Sequence, residues 1–105
     1  MKKNALVFLF SVFSASVFAL PADTNKTDAN GKKQGHWIKR DEKGKVIYEG
    51  NFVNDKPIGE FKYYWDNSNL KAHSFYSDNG KVCRAKMFFY DGATLMAEGK
   101  YIDQI

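Results

Sequence analysis

From Asn30 to Ile102 apolar and polar residues alternate along the chain, the period of a strand with one buried face. Strands led by an aromatic are predicted over 35–38 and 59–65, with a third over 85–90. Each is followed by a returning strand, over 46–53, 70–76 and 95–102. The leading strands are preceded by Asn30-Gly31, Asn54-Asp55 and Asn79-Gly80, residues that tolerate the positive φ of tight hairpin turns. A second set of turns falls at 42–44, 66–69 and 91–93. The pattern predicts an all-β fold, a single-layer antiparallel sheet of about three tandem hairpins.

Side chains alternate across a strand, so the same pattern sorts residues into two faces. One face carries Val46, Tyr48, Gly50 and Phe52, then Leu70, Ala72, Ser74 and Tyr76, then Leu95, Ala97, Gly99 and Tyr101. Each returning strand thus starts with an aliphatic residue, places a small residue third and ends on an aromatic. The leading strands are expected to add Trp37, then Phe61, Tyr63 and Trp65, then Phe88 and Tyr90 to that face. The small third position leaves room for a ring from the neighbouring strand. The opposite face carries Arg40, Glu49, Lys62, His73 and Glu98, but also the apolar Ile47, Tyr64, Phe75, Met87 and Phe89. Exposed apolar side chains on an otherwise polar face mark a contact surface, so Tyr64, Phe75, Met87 and Phe89 are the expected partner-binding residues.

The hairpins are copies of one another. Asn54, Gly59 and Phe61 each follow Asn30, Gly35 and Trp37 by 24 positions, and Gly99 follows Gly50 by 49. Asp66, Leu70 and Ala72 are echoed by Asp91, Leu95 and Ala97 at a spacing of 25. A period in this range means that each unit buries its face only by stacking on the next. The last copy departs from the others, with Arg84 expected where the glycine should be and Lys86 where the first core aromatic should be.

Residues 1–19 read differently from the rest. Lys2 and Lys3 precede an apolar run from Ala5 to Phe18 that ends in Val17-Phe18-Ala19, the layout of a secretory signal peptide cleaved after Ala19. The run is shorter than the ~20 residues of a spanning helix. Residues 20–29 are polar, lack any hydrophobic period and are expected to form a flexible linker, which leaves 30–105 as the repeat domain. Export to the periplasm, cell surface or medium of a bacterium follows as the expected localisation. Without Lys2 and Lys3 the chain keeps 14 basic and 12 acidic residues, a net charge of +2. These charges are interspersed, whereas a nucleic-acid binder concentrates a basic face.

Chemistry is sparse. Cys83 is the only cysteine, so no intrachain disulfide forms, and stability must come from stacking. His36 and His73 have no metal-ligand pattern beside them in sequence. A Cys83 dyad with either histidine would depend on folding to bring the pair together. The glycines follow the repeat and form no phosphate-cradling loop. Neither catalytic residues nor a cofactor are expected. The returning strand at the end of the array offers an open edge, and edge-to-edge self-association is an expected property of such an edge.

Tyr48-Glu49-Gly50-Asn51-Phe52, followed by Asn54, Lys56, Gly59 and Phe61, resembles a MORN repeat, and the further aromatics Tyr63-Tyr64-Trp65 resemble its bacterial, antitoxin-like variant. The resemblance spans 30–103, with one well-kept copy and two degenerate ones. It implies an all-β array and a non-enzymatic interaction module that binds a protein. Contact with envelope glycan or lipid head groups is the alternative it leaves open.

Overall fold

The computed structural model describes residues 24–102, so the signal-peptide expectation for 1–19 lies outside the described residues. Seven strands form one antiparallel sheet in chain order. They are β1 (Lys26–Thr27), β2 (Lys33–Arg40), β3 (Val46–Val53), β4 (Lys56–Tyr64), β5 (Leu70–Ser77), β6 (Val82–Phe88) and β7 (Leu95–Ile102). The pairs β2–β3, β4–β5 and β6–β7 are the three hairpin units, and no described residue is helical. The sheet is one layer thick, as the alternation requires.

Within 24–29, expected as the end of a flexible linker, Lys26 and Thr27 instead join the sheet. Lys26 pairs with Gln34 and Thr27 with Lys33. No apolar pattern announces this short strand because hydrogen bonds hold it. The Asn25 side chain donates to the Ile38 carbonyl and accepts from its N–H, and the Trp37 indole donates to the Lys26 carbonyl at 3.0 Å.

Directly opposed residues share a face, and one row crosses the whole sheet: Trp37, Gly50, Phe61, Ser74, Ala85 and Gly99. In its first four places large rings alternate with small residues. The rings need that room: a Cβ at Gly50 would lie 2.5 Å from the Phe61 ring. Phe61 is the centre of the packing, 2% exposed. It meets the rings of Tyr48, Phe52, Tyr63 and Tyr76 at centroid distances of 5.1 to 6.0 Å, those of Phe52 and Tyr76 edge to face as ring quadrupoles prefer. Gly50, Ala72 and Ser74 beside it are the other buried positions among the described residues.

Hydrogen bonds between the ends of successive hairpins fix the stacking. The Lys45 ammonium donates to the Asp66 carbonyl, and Asn67 and Asn69 both donate to the Tyr90 carbonyl. The Trp65 indole donates to the carbonyls of Phe88 and Phe89. Each turn is thereby tied to the one that follows it some 21 to 24 residues later.

The third unit is offset from its expected position. Ala85 and Met87, not Phe88 and Tyr90, take the aromatic-face positions opposite Ser74 and Ala72. The turn chemistry explains the offset. Val53 and Lys56 enclose a two-residue turn, Asn54-Asp55, with both φ positive, and the ladder then slips between Gly50 and Asn51. Ser77 and Val82 instead enclose four residues and continue without a slip. The longer turn replaces the shorter turn and its bulge, so Trp37, Phe61 and Ala85 remain equivalent at a constant spacing of 24. Ala85, rather than Lys86, stands where the first core aromatic would be.

Candidate interaction surfaces

The loss of that ring shapes the aromatic face. Across β6 and β7 its rows carry Cys83 and Tyr101, Ala85 and Gly99, and Met87 and Ala97. Small residues replace the stacked rings, and an apolar trough of about 620 Å³ opens between Tyr63 and Tyr76 on one side and Tyr101 on the other. Ser74, Ala85 and Met87 line it. Lys71 and Lys81 also line it, and the Lys71 ammonium lies 4.8 Å from the Trp65 ring centroid.

The wall of the trough is polar at one point. The Tyr63 and Tyr76 hydroxyls lie 2.7 Å apart, and Cys83 opposes Tyr76. Burial pushes the Tyr76 phenol well above its ordinary range, and the neighbouring Tyr63 and Cys83 add to the shift. Tyr63 is also raised by burial, partly offset by its bond to Tyr76. Both phenols are therefore neutral at physiological pH, and either can donate to the other.

The polar face is organised around β4–β6. Phe75 is 50% exposed and lies between Glu60 and Arg84 in the ladder, with the His73 ring 4.8 Å from its own. The His73 imidazole bonds the Glu60 carboxylate, the first cause of that carboxyl's lowered pKa. Arg84 faces Lys100, and Lys86 lies between His73 and Glu98.

The four expected partner-binding residues do not form one patch. Phe75 is on the polar face as expected. Tyr64 shares that face, its phenol pKa raised by burial and then by Glu49 and Glu60. The ladder slips between Tyr63 and Tyr64, so its pairing with Leu70 does not put the two on one face, and it lies four residues along β4 from the Phe75 partner Glu60, a separation of roughly 13 Å at the rise of a strand. Met87 is on the other face, opposite Ala72 and in the trough. Its expected placement followed from counting alternation back from Phe88 and Tyr90, which the offset of β6 invalidates. Phe89 follows the end of β6 at the hairpin end, 48% exposed, its N–H bonded to the Thr94 carbonyl.

Sequence reasoning missed the combination of Ala85, Cys83 and Met87 as the lining of a trough. The signal was present in the 24-residue spacing of Trp37, Phe61 and Ala85. Neither histidine can join Cys83 in a dyad: Cys83 is on the aromatic face, whereas His36 and His73 oppose Asn51 and Lys86 on the polar face. Among the described residues no group of three or more His, Cys, Asp or Glu side chains is placed to hold a metal ion.

No protein-family model, curated protein or solved structure matches the chain.

Proposed function

We propose that the chain is an exported, non-enzymatic interaction module of MORN type, and that it holds a protein partner in the trough on its aromatic face. The observation that supports this reading is the substitution of Ala85 at the place of Trp37 and Phe61. The ring that fills the row in the first two units is missing in the third, where Ala85 stands beside Gly99. The partner supplies it, by inserting an aromatic or large aliphatic side chain between Tyr63, Tyr76 and Tyr101. Such anchors in desolvated pockets dominate protein interfaces, and Met87 and the tyrosines are residue types that suit an adaptable apolar contact. The paired Tyr63 and Tyr76 hydroxyls give the anchor a polar group to meet.

The test restores the missing ring. Ala85→Phe places the repeat's own residue in the trough and should leave the fold intact while abolishing retention of the partner on the tagged chain. Phe75→Ala, on the other face, should leave retention unchanged. Retention lost with Phe75→Ala and kept with Ala85→Phe would overturn the assignment and return the site to the polar face. An eluate of glycan or lipid alone would favour the head-group alternative, whose salt sensitivity would then separate charge from apolar contact.

A further inference from the structure

The two edges of the sheet are managed differently. At one edge β1 is only two residues long, which is one way natural sheets blunt an edge. At the other, β7 runs for eight residues, and all but Gly99 are exposed. Among the described residues no strand pairs with the other side of β7, and an edge strand of that length is a template for pairing with another chain. Its side chains also leave a charge problem. Arg84 and Lys100 are directly opposed across β6–β7, like charges that weaken a ladder, and neither forms an ion pair among the described residues.

We infer that β7 pairs antiparallel with β7 of a second copy about a two-fold axis through Gly99, joining two chains into one continuous sheet. The register follows from two restrictions. Opposed residues must share a face, because one face is aromatic and the other charged, so the axis must pass through a residue rather than between two. Overlap of the strand with itself is longest with the axis at Glu98 or at Gly99. An axis at Glu98 opposes the two Glu98 carboxylates. An axis at Gly99 places each Glu98 against Lys100 of the other copy, twice over by symmetry.

The second register suits every position it aligns. On the charged face each Glu98 lies between Lys86 of its own chain and Lys100 of the second copy, and each Lys100 gains the carboxylate that Arg84 does not supply. On the aromatic face Ala97 meets Tyr101 of the second copy, the same small-with-ring pairing as Ala72 with Tyr63, and Gly99 meets Gly99. The contact is isologous and closed, as a two-fold interface requires. Tyr101, which borders the trough, also stands in this contact, so the pairing sets the two troughs side by side. A strand-on-strand contact is small, and the dimer is expected to dissociate on dilution.

Sedimentation of the protein, purified as its producing cell processes it, tests this across a concentration series. The wild type should pass from monomer to dimer. Lys100→Glu relieves the repulsion from Arg84, so it should remain folded by circular dichroism, yet raise the dimer dissociation constant by about tenfold or more. Glu98→Lys should do the same. The charge swap carrying both substitutions should return the constant to within about threefold of wild type, because each new lysine again meets a glutamate across the axis. A wild-type protein that stays monomeric at millimolar concentration would overturn the proposal. So would larger assemblies, or a dimer that neither single substitution weakens, or one that the swap fails to restore.

Discussion

The hairpin of β4 and β5 and the hairpin of β6 and β7 share a repeat and differ in what fills it. In the first, Phe61 sits among four rings, opposite Gly50 and Ser74. In the second, Ala85 occupies the equivalent place opposite Ser74 and Gly99, and Leu95, Met96 and Tyr101 are each 44% exposed or more. Backbone pairing continues unchanged from one to the other. The difference shows that in a one-layer sheet the ladder and the side-chain packing are separable: hydrogen bonds carry the architecture onward where the rings stop. The packed units hold the sheet together, and the unpacked one keeps its apolar face available.

Truncation should separate the two regions most strongly. Phe61→Ala removes the best-buried ring and should cost about 3–5 kcal/mol, which would unfold a domain of marginal stability. Met87→Ala, on the same face of the third unit, should cost only about 1 kcal/mol, because the side chain is half-buried and borders a trough that already lacks close packing. Urea unfolding of the two variants checks the contrast, and similar losses would break it.

Adding a methyl group reverses the experiment. Gly50→Ala drives a Cβ against the Phe61 ring, 2.5 Å away where it now stands, and should destabilise by about 1–3 kcal/mol. Gly99→Ala, its counterpart in the row, meets only the Tyr101 ring end at 3.9 Å and should change stability by less than about 0.5 kcal/mol. Thermal melts of the pair read the difference between the two regions at one atom in each.

A smaller effect lies at the boundary between them. Burial raises the phenol pKa of Tyr63 and Tyr76 above the ordinary 10.0. Below that pH both folded and unfolded chains keep these protons, and the two groups impose no pH dependence. Above it the unfolded chain releases them first, so stability falls as pH rises toward the folded values. The melting temperature should therefore drop above about pH 10, and Tyr76→Phe should flatten that drop while costing about 1 kcal/mol at neutral pH for the lost Tyr63 bond.

Much of this architecture is written in the alternation. The single-layer sheet, the three hairpins and the faces of β3, β5 and β7 follow directly from period-two patterning, since a pleated strand has only two faces to choose between. The place of β6 does not follow. Phe88 and Tyr90 are the loudest aromatic signal in the third unit and draw the expected strand toward themselves, whereas the pairing is set by how many residues the turn after Ser77 contains. A two-residue turn followed by a bulge and a four-residue turn without one advance the chain equally, and composition does not distinguish them. That one-residue offset carried Met87 to the wrong face and hid Ala85. The strand β1 is invisible for a different reason: backbone pairing and the Trp37 indole N–H hold it, with the Asn25 amide tied to Ile38 just before it, and none of these leaves a hydrophobic trace in its own residues.

Stability should be concentrated in the ring-packed units and decline across the third. Native-state hydrogen exchange, at a concentration where the chain is monomeric, reads this residue by residue. The strongest protection is expected among the β3–β5 amides around Gly50, Phe61 and Ser74, with protection falling through β6 to its lowest values in β7. Protection that is uniform from β3 to β7 would contradict it, because the third unit would then be held as firmly as the others without the rings.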